Sequence, residues 1–184
     1  MKTLHLLRHA KSSWDDPELT DLRRPLNQRG VNDCQLMAPV LMDVGCCFDS
    51  IYCSNATRAK QTLKRISEHQ FEPGMSRMIS AEKLADTLIT EELYCFDWTK
   101  ILAFCQALPQ NLAQVTLVGH NPAFTELQNY LSVDPIDHLP TCSYVRLECS
   151  IHQWLDLSSG CARTQYVITP KMLKKGEGIQ GYLQ

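Results

Sequence analysis

The chain has 184 residues, 44% of them hydrophobic and 21% charged, the balance of a globular domain and not of a disordered segment. Eighteen Lys and Arg against twenty Asp and Glu leave a formal charge of -2. A surface of that kind has no general attraction for nucleic acid or anionic lipid, so any anion site must be local.

The longest early apolar run, Leu4 to Leu7, is broken by His5 and stops at Arg8, which is too short for a leader sequence or a membrane span. Thr3 to Leu7 therefore reads as a short buried strand. Asn27 supplies the cap of a helix whose inner face carries Val31, Cys34, Met37, Ala38, Leu41 and Val44. Phe48 to Cys53 is the second strand, and Ala56 to His69 the second helix, with Ala59, Leu63 and Ile66 inward. Met75 to Ser80 reads as a weaker strand, while Glu82 to Glu92 fits neither period. Trp98, Ile101, Leu102, Cys105 and Leu108 fall at helical spacing, and Pro109 ends that element.

Gln114 to Val118 is the clearest buried strand. Asn121 and Pro122 then start a helix carrying Phe124, Leu127 and Leu131. Beyond Pro140 the pattern changes to three strands, Ser143 to Cys149, Gln153 to Leu157 and Gln165 to Ile168, with little helix between. Strands separated by helices predict an α/β three-layer sandwich with a mainly parallel central sheet and an antiparallel C-terminal part. No linker divides residues 1–184, which read as one domain with a frayed tail from 174 to 184, and Lys171 to Lys175 read as a solvated end. The nine cysteines include no Cys-x-x-Cys pair and several lie in apolar runs, so they are expected as reduced core thiols of a cytoplasmic protein.

Three strands end in basic or imidazole residues: Leu7-Arg8-His9-Ala10, Ser54-Asn55-Ala56-Thr57-Arg58, and Val118-Gly119-His120-Asn121-Pro122. In an open α/β sheet, sites form beyond the carboxyl ends of the strands, so Arg8, His9, Arg58 and His120 can surround one pocket. Arg58 and His120 also stand beside helix N-termini, whose free amides favour anions. Two guanidiniums, two imidazoles and two helix ends suit a phosphoryl group better than a neutral ligand. His5, on a strand, reads as half-buried structure, and His69, His138 and His152 carry no functional reading.

Arg8-His9, Ser54-x-x-x-Arg58-Ala59-x-x-Thr62 and Val118-Gly119-His120-Asn121-Pro122 together resemble the histidine phosphatase (phosphoglycerate mutase-like) superfamily. Leu6 to Trp14, Arg24-Pro25-Leu26-Asn27-x-Arg29-Gly30, Pro140-Thr141, Trp154 and Pro170-Lys171 are similar, more narrowly, to the SixA-type phosphohistidine phosphatases. The resemblance implies that His9 is a nucleophile forming a phosphohistidine intermediate, that Arg8 and Arg58 hold phosphate oxygens, and that His120 is the second imidazole, with no metal or cofactor. An imidazole with a pKa near 6.5 can be neutral for attack at cytoplasmic pH, and arginines can offset charge on the transferring group.

Departures from the superfamily's pattern narrow the substrate. Ala10 stands where glycine is usual. Asp15 replaces an asparagine of the mutase branch and is expected to point away or pair with Lys11. Glu82, Asp86, Glu91 and Glu92 are the carboxylates near the expected place of a leaving-group acid, but none lies in a motif. Without such an acid, a P–N bond is easier to break than an alkyl ester, because imidazole is a far better leaving group than an alkoxide.

The expected substrate is therefore phosphohistidine on a protein, such as a histidine phosphotransfer domain, with Lys11 and Arg24 at the rim and no nucleic-acid or membrane partner. A small-molecule phosphomonoesterase or mutase on the same fold, and a catalytically silent phosphate-binding module, are the alternatives. A metal-binding histidine protein ranks below both, since carboxylate or thiolate company at metal-ligand spacing is missing.

Overall fold

The structure is a computed structural model that describes residues 1–68 and 86–176. In chain order these form β1 (Lys2–Arg8), a 3-10 turn (Asp21–Arg23), α1 (Gln28–Asp43), β2 (Ile51–Ser54), α2 (Thr57–Ser67), β3 (Leu88–Thr90) and α3 (Trp98–Gln106). There follow β4 (Gln114–Gly119), α4 (Ala123–Leu131), β5 (Tyr144–Cys149), a second 3-10 turn (Trp154–Asp156), β6 (Ala162–Ile168) and α5 (Pro170–Lys174). Among the described residues, no helix is long and apolar enough to cross a membrane.

The six strands make one sheet in the order β3-β2-β4-β1-β5-β6. β3, β2, β4 and β1 run parallel, and β5 and β6 are added antiparallel. Side chains alternate across each strand, so both faces are apolar and each takes a layer of helices. Leu4, Leu6, Val115, Leu117, Val145 and Leu147 pack against α3 and α4. Leu7, Ile51, Cys53, Val118 and Tyr144 pack against α1 and α2. The fold is the expected α/β sandwich, with its parallel part and antiparallel C-terminal part.

Helix starts follow local chemistry. The Asn27 side chain accepts from the Gly30 amide at 2.9 Å, and Cys34, Met37, Ala38 and Leu41 are buried behind that cap; Val31 is only half-buried. Ala59, Leu63 and Ile66 of α2 and Phe124, Leu127 and Leu131 of α4 face the core as read from their spacing. All nine cysteines are free thiols, six of them buried.

Several expectations are corrected. Gln153 to Leu157 is not a strand: Trp154 and Leu157 are buried three residues apart around an exposed Leu155, the period of a 3-10 turn. The last strand starts at Ala162, after a turn at Gly160 with φ of 69°, and not at Gln165. Pro170–Lys174 is a short helix capped by Thr169, and Lys174 Nζ donates to the buried Asp33 at 2.5 Å, so this segment is docked and not frayed at 174. Leu88–Thr90 forms an edge strand inside the ambiguous stretch. The strand expected at Met75 to Ser80, the end of α2 at His69, and residues 177–184 lie outside the described residues.

Strand register places the site. Leu7 lies opposite Val118 and Val118 opposite Cys53, so Arg8 and Gly119 end level with one another and Ser54 follows beside them. His9 and His120 are each one residue beyond.

Candidate active site

His9 is held through its backbone from both sides: its amide donates to Gly119 O at 3.1 Å, and its carbonyl accepts from the Cys142 amide at 3.0 Å. Its ring Nδ1 lies 2.7 Å from Ala10 O. A carbonyl only accepts, so Nδ1 carries the proton and Nε2 the lone pair. The Arg58 Nε–H points at that lone pair from 3.3 Å, in agreement with this tautomer. Burial, reinforced by Arg58 and Arg8, pushes the pKa of His9 from 6.5 down to about 3, against smaller opposing effects of Ala10 O and Asp21. The imidazole is neutral and ready to donate an electron pair.

Ala10 is fully buried and accommodated in the apolar layer under α1 and α2, so the missing glycine leaves the backbone undisturbed. Its amide donates to Thr62 Oγ1 at 2.9 Å, and that hydroxyl donates to Arg58 O at 2.7 Å. One side chain of α2 thus ties the loop after β1 to the turn that carries Arg58.

Arg58 occupies the first turn of α2 and is 2% exposed. Its Nη1 donates to Asp21 O at 2.5 Å, its Nη2 to Asp21 Oδ2 at 2.8 Å, and Nη2 also reaches His120 Nδ1 at 3.4 Å. With Nδ1 accepting, His120 carries its proton on Nε2, which faces Ser54 Oγ at 2.8 Å. Burial first, then His9 and Arg58, lower the pKa of His120 to about 2. Its ring centroid stands 4.9 Å from that of His9, 5.3 Å from Tyr94 and 5.5 Å from Phe96. Gly119 makes this placement possible, since a Cβ there would meet Phe124 Cζ at 2.6 Å.

Arg8, on the opposite face of β1, donates from Nη1 to Leu139 O at 2.6 Å and lies 3.4 Å from His138 Nε2. Its Nε has no partner among the described residues. Burial and the neighbouring Arg58 lower its pKa. Arg8, His9 and Arg58 line one cavity of about 400 Å³, and His120 packs beside it, so the four residues picked out by their strand ends converge. Lys11 and Arg24 line the rim, where they were expected.

The carboxylate of the cavity is one that strand-end reasoning misses. Asp21 comes from the 3-10 turn and also lines the cavity. Its Oδ1 meets Arg24 at 2.5 Å; its Oδ2 takes Arg58 and the Tyr94 hydroxyl, at 2.8 and 2.7 Å. Burial alone would raise its pKa, but the hydrogen bonds from Tyr94 and Arg58 prevail and hold it below the usual carboxylate range. The nearest sequence signal was Asp21-x-x-Arg24, an i,i+3 acid–base pair. Tyr94, Phe96 and Trp14, from irregular segments, complete the walls.

Asp86, Glu91 and Glu92 are exposed and line no part of this cavity. Glu92 accepts from Thr90 Oγ1 at 3.3 Å and borders a separate groove of about 540 Å³ along Tyr52, Lys100 and Phe104. Glu82 lies outside the described residues. Asp15 is exposed and points away from the cavity, the first of its two expected placements, and accepts from Ser13 Oγ at 2.7 Å in a local turn. His5 is fully buried, not half-buried.

Residues 4–85 match the model of the histidine phosphatase superfamily (branch 1). A structure described as a phosphohistidine phosphatase SixA of Nakamurella multipartitia is 26% identical, with a TM-score of 0.71 over 92% of this chain and 96% of that one. The protein histidine phosphatase SixA complexed with tungstate shares the fold at a TM-score of 0.71 and 22% identity, over 93% of this chain and 99% of its own. An uncharacterized chloroplastic protein of Arabidopsis thaliana is 29% identical over 83% of this chain and 69% of its own length. Over residues 4–85 the chain is similar to the histidine phosphatase superfamily, and over nearly its whole length its fold is similar to that of the SixA type.

Proposed function

We propose that the protein hydrolyses phosphohistidine displayed on another protein, through a phosphohistidine intermediate on His9. The observation that carries the reading is the pairing of a neutral nucleophile at the cavity with a fully engaged carboxylate. His9 Nε2 keeps its lone pair beside the cavity, whereas both oxygens of Asp21 are occupied by Arg24, Arg58 and Tyr94 and its pKa is held low. Asp21 therefore stays ionised and cannot protonate a leaving group. No other Asp or Glu among the described residues lines the cavity.

In the first step His9 Nε2 forms a bond to phosphorus while the substrate's P–N bond breaks. The departing imidazole, protonated on its distal nitrogen, takes the electron pair and leaves neutral. In the second step water attacks phospho-His9, releasing phosphate and a proton and restoring the Nε2 lone pair. Arg8 and Arg58 offer donors to the equatorial oxygens in both steps, where charge-assisted bonds are strongest. An alkoxide would need a proton donor that Asp21 cannot be. The cavity is also open at its mouth, where Trp14 and Phe96 are 71% and 46% exposed, which suits a side chain presented by a macromolecule such as a phosphotransfer domain.

The test is a rapid acid-free quench with a chemically phosphorylated histidine peptide. Acid-labile phosphate on His9, with phosphoserine peptide left untouched, is the expected result. Equal turnover of both peptides, or no label on His9, would defeat the proposal.

A further inference from the structure

The cavity holds more positive charge than one phosphoryl group can use. Lys11, Arg8, Arg24 and Arg58 line it against the single carboxylate of Asp21, and the imidazole on its wall, His9, is neutral. This leaves an excess of three positive charges, of which a phosphoryl dianion offsets two. Arg8 and Arg58 flank His9, so the remaining cation belongs to the outer half of the cavity, with Arg24 and Lys11.

Arg24 is built to be held there. Its side chain is only 9% exposed, its Nη2 donates to Asp21 Oδ1 at 2.5 Å, and its guanidinium carbon lies 3.3 Å from the ring centroid of Trp14. Stacking and one ion pair fix the plane of the group, yet Nε and Nη1 have no hydrogen-bond partner among the described residues. Buried unpaired donors are costly, and on a fixed guanidinium they call for an acceptor such as a carboxylate or phosphate oxygen. Trp14 covers the face of the group, so a ligand reaching those donors must come from the cavity or shift the exposed indole.

We propose that Arg24, with Lys11, forms a second anion subsite that reads a carboxylate next to the phosphorylated side chain, so that the preferred substrate is a phosphohistidine flanked by acidic residues. This rests on the phosphohistidine reading above. A protein carboxylate is favoured over the second phosphate of a small molecule because exposed Trp14 and Phe96 widen the mouth for a polypeptide.

The experiment uses two synthetic phosphohistidine peptides, one with glutamates flanking the histidine and one with glutamines, plus p-nitrophenyl phosphate and a small bisphosphate. For the wild-type protein, kcat/KM should favour the acidic peptide by about tenfold, the equivalent of ~1.4 kcal/mol, mainly through KM. In Arg24→Gln the ratio between the peptides should fall close to one, whatever happens to their common rate, and Lys11→Gln should reduce it part way. Thermal melting reports whether each variant is folded. Should Arg24→Gln fail to fold, Lys11→Gln and the decline of the wild-type ratio with added NaCl carry the test.

Equal turnover of the two peptides by wild type would overturn the subsite and leave the phosphohistidine reading standing. So would a ratio unmoved by both substitutions, or a small bisphosphate preferred to either peptide. Hydrolysis of p-nitrophenyl phosphate with neither peptide cleaved would remove the phosphohistidine reading itself, and the subsite with it.

Discussion

His5 and His9 sit four residues apart on one strand and its extension, and both are buried imidazoles whose pKa is pushed far below 6.5. Their hydrogen bonds separate them. His5 spends both ring nitrogens on the protein, Nδ1 with the Tyr144 hydroxyl at 2.6 Å and Nε2 with Gln114 Oε1 at 3.2 Å. His9 donates from Nδ1 to Ala10 O, and its Nε2 accepts only a long 3.3 Å bond from the Arg58 guanidinium. Burial and a shifted pKa mark both; a lone pair held only by a cationic donor at a cavity marks one. In this sheet the chemistry lies where satisfaction of polar groups stops, at the ends of the parallel strands.

Substitutions can break that contrast or sharpen it. The largest effect should come from His9→Ala, which removes the proposed nucleophile and should lower turnover on the order of 10³-fold or more while the melting temperature stays close to wild type. Residual turnover near the original rate would erase the difference between the two histidines. Arg58→Gln comes next: tungstate affinity, read by calorimetry, should drop by roughly 10–100-fold for the loss of a charge-assisted donor, and Arg58→Lys should recover only part of it.

His5→Ala should do the reverse of His9→Ala. It leaves the buried Tyr144 hydroxyl with only the weak partner Cys46, so urea denaturation should show a loss of about 1–3 kcal/mol with turnover per folded molecule unchanged. The gentlest probe is pH. His5, His9 and His120 have folded pKa values of about 4, 3 and 2, below the 6.5 of the unfolded chain. The unfolded state therefore binds more protons between those values, and stability is complete above pH 6.5 and is lost as the pH falls toward 4 and below. Each histidine contributes up to ~1.4 kcal/mol per pH unit in its window. His5→Gln should flatten the slope between pH 6.5 and 4; a slope identical to wild type would mean that His5 titrates normally.

The convergence of Arg8, His9, Arg58 and His120 was readable because each follows a short apolar strand, and parallel register brings such ends level. Asp21, Tyr94, Phe96 and Trp14 were not readable in the same way. They come from a 3-10 turn and irregular loops, where no period ties residue to position and only tertiary approach selects partners. The same limit explains why Gln153 to Leu157 reads as a strand: Leu155 and Leu157 stand two apart, and over five residues that spacing imitates a strand although Leu155 is exposed. The exposed Asp86, Glu91 and Glu92 stood close in sequence to the expected acid, but the edge-strand turn holding them points elsewhere.

Gly30 has a consequence for anyone wishing to make this protein sturdier. It lies in the first turn of α1, where exchanging glycine for alanine ordinarily gains ~1 kcal/mol of helix propensity. A Cβ at this position would meet Lys11 O at 2.3 Å, a contact the backbone must yield to. Lys11 directly follows Ala10, whose carbonyl orients the His9 ring, so the displacement would travel one residue to the proposed nucleophile. A propensity-guided search for thermostability would select this glycine early, and the clash would cost stability and catalytic alignment together.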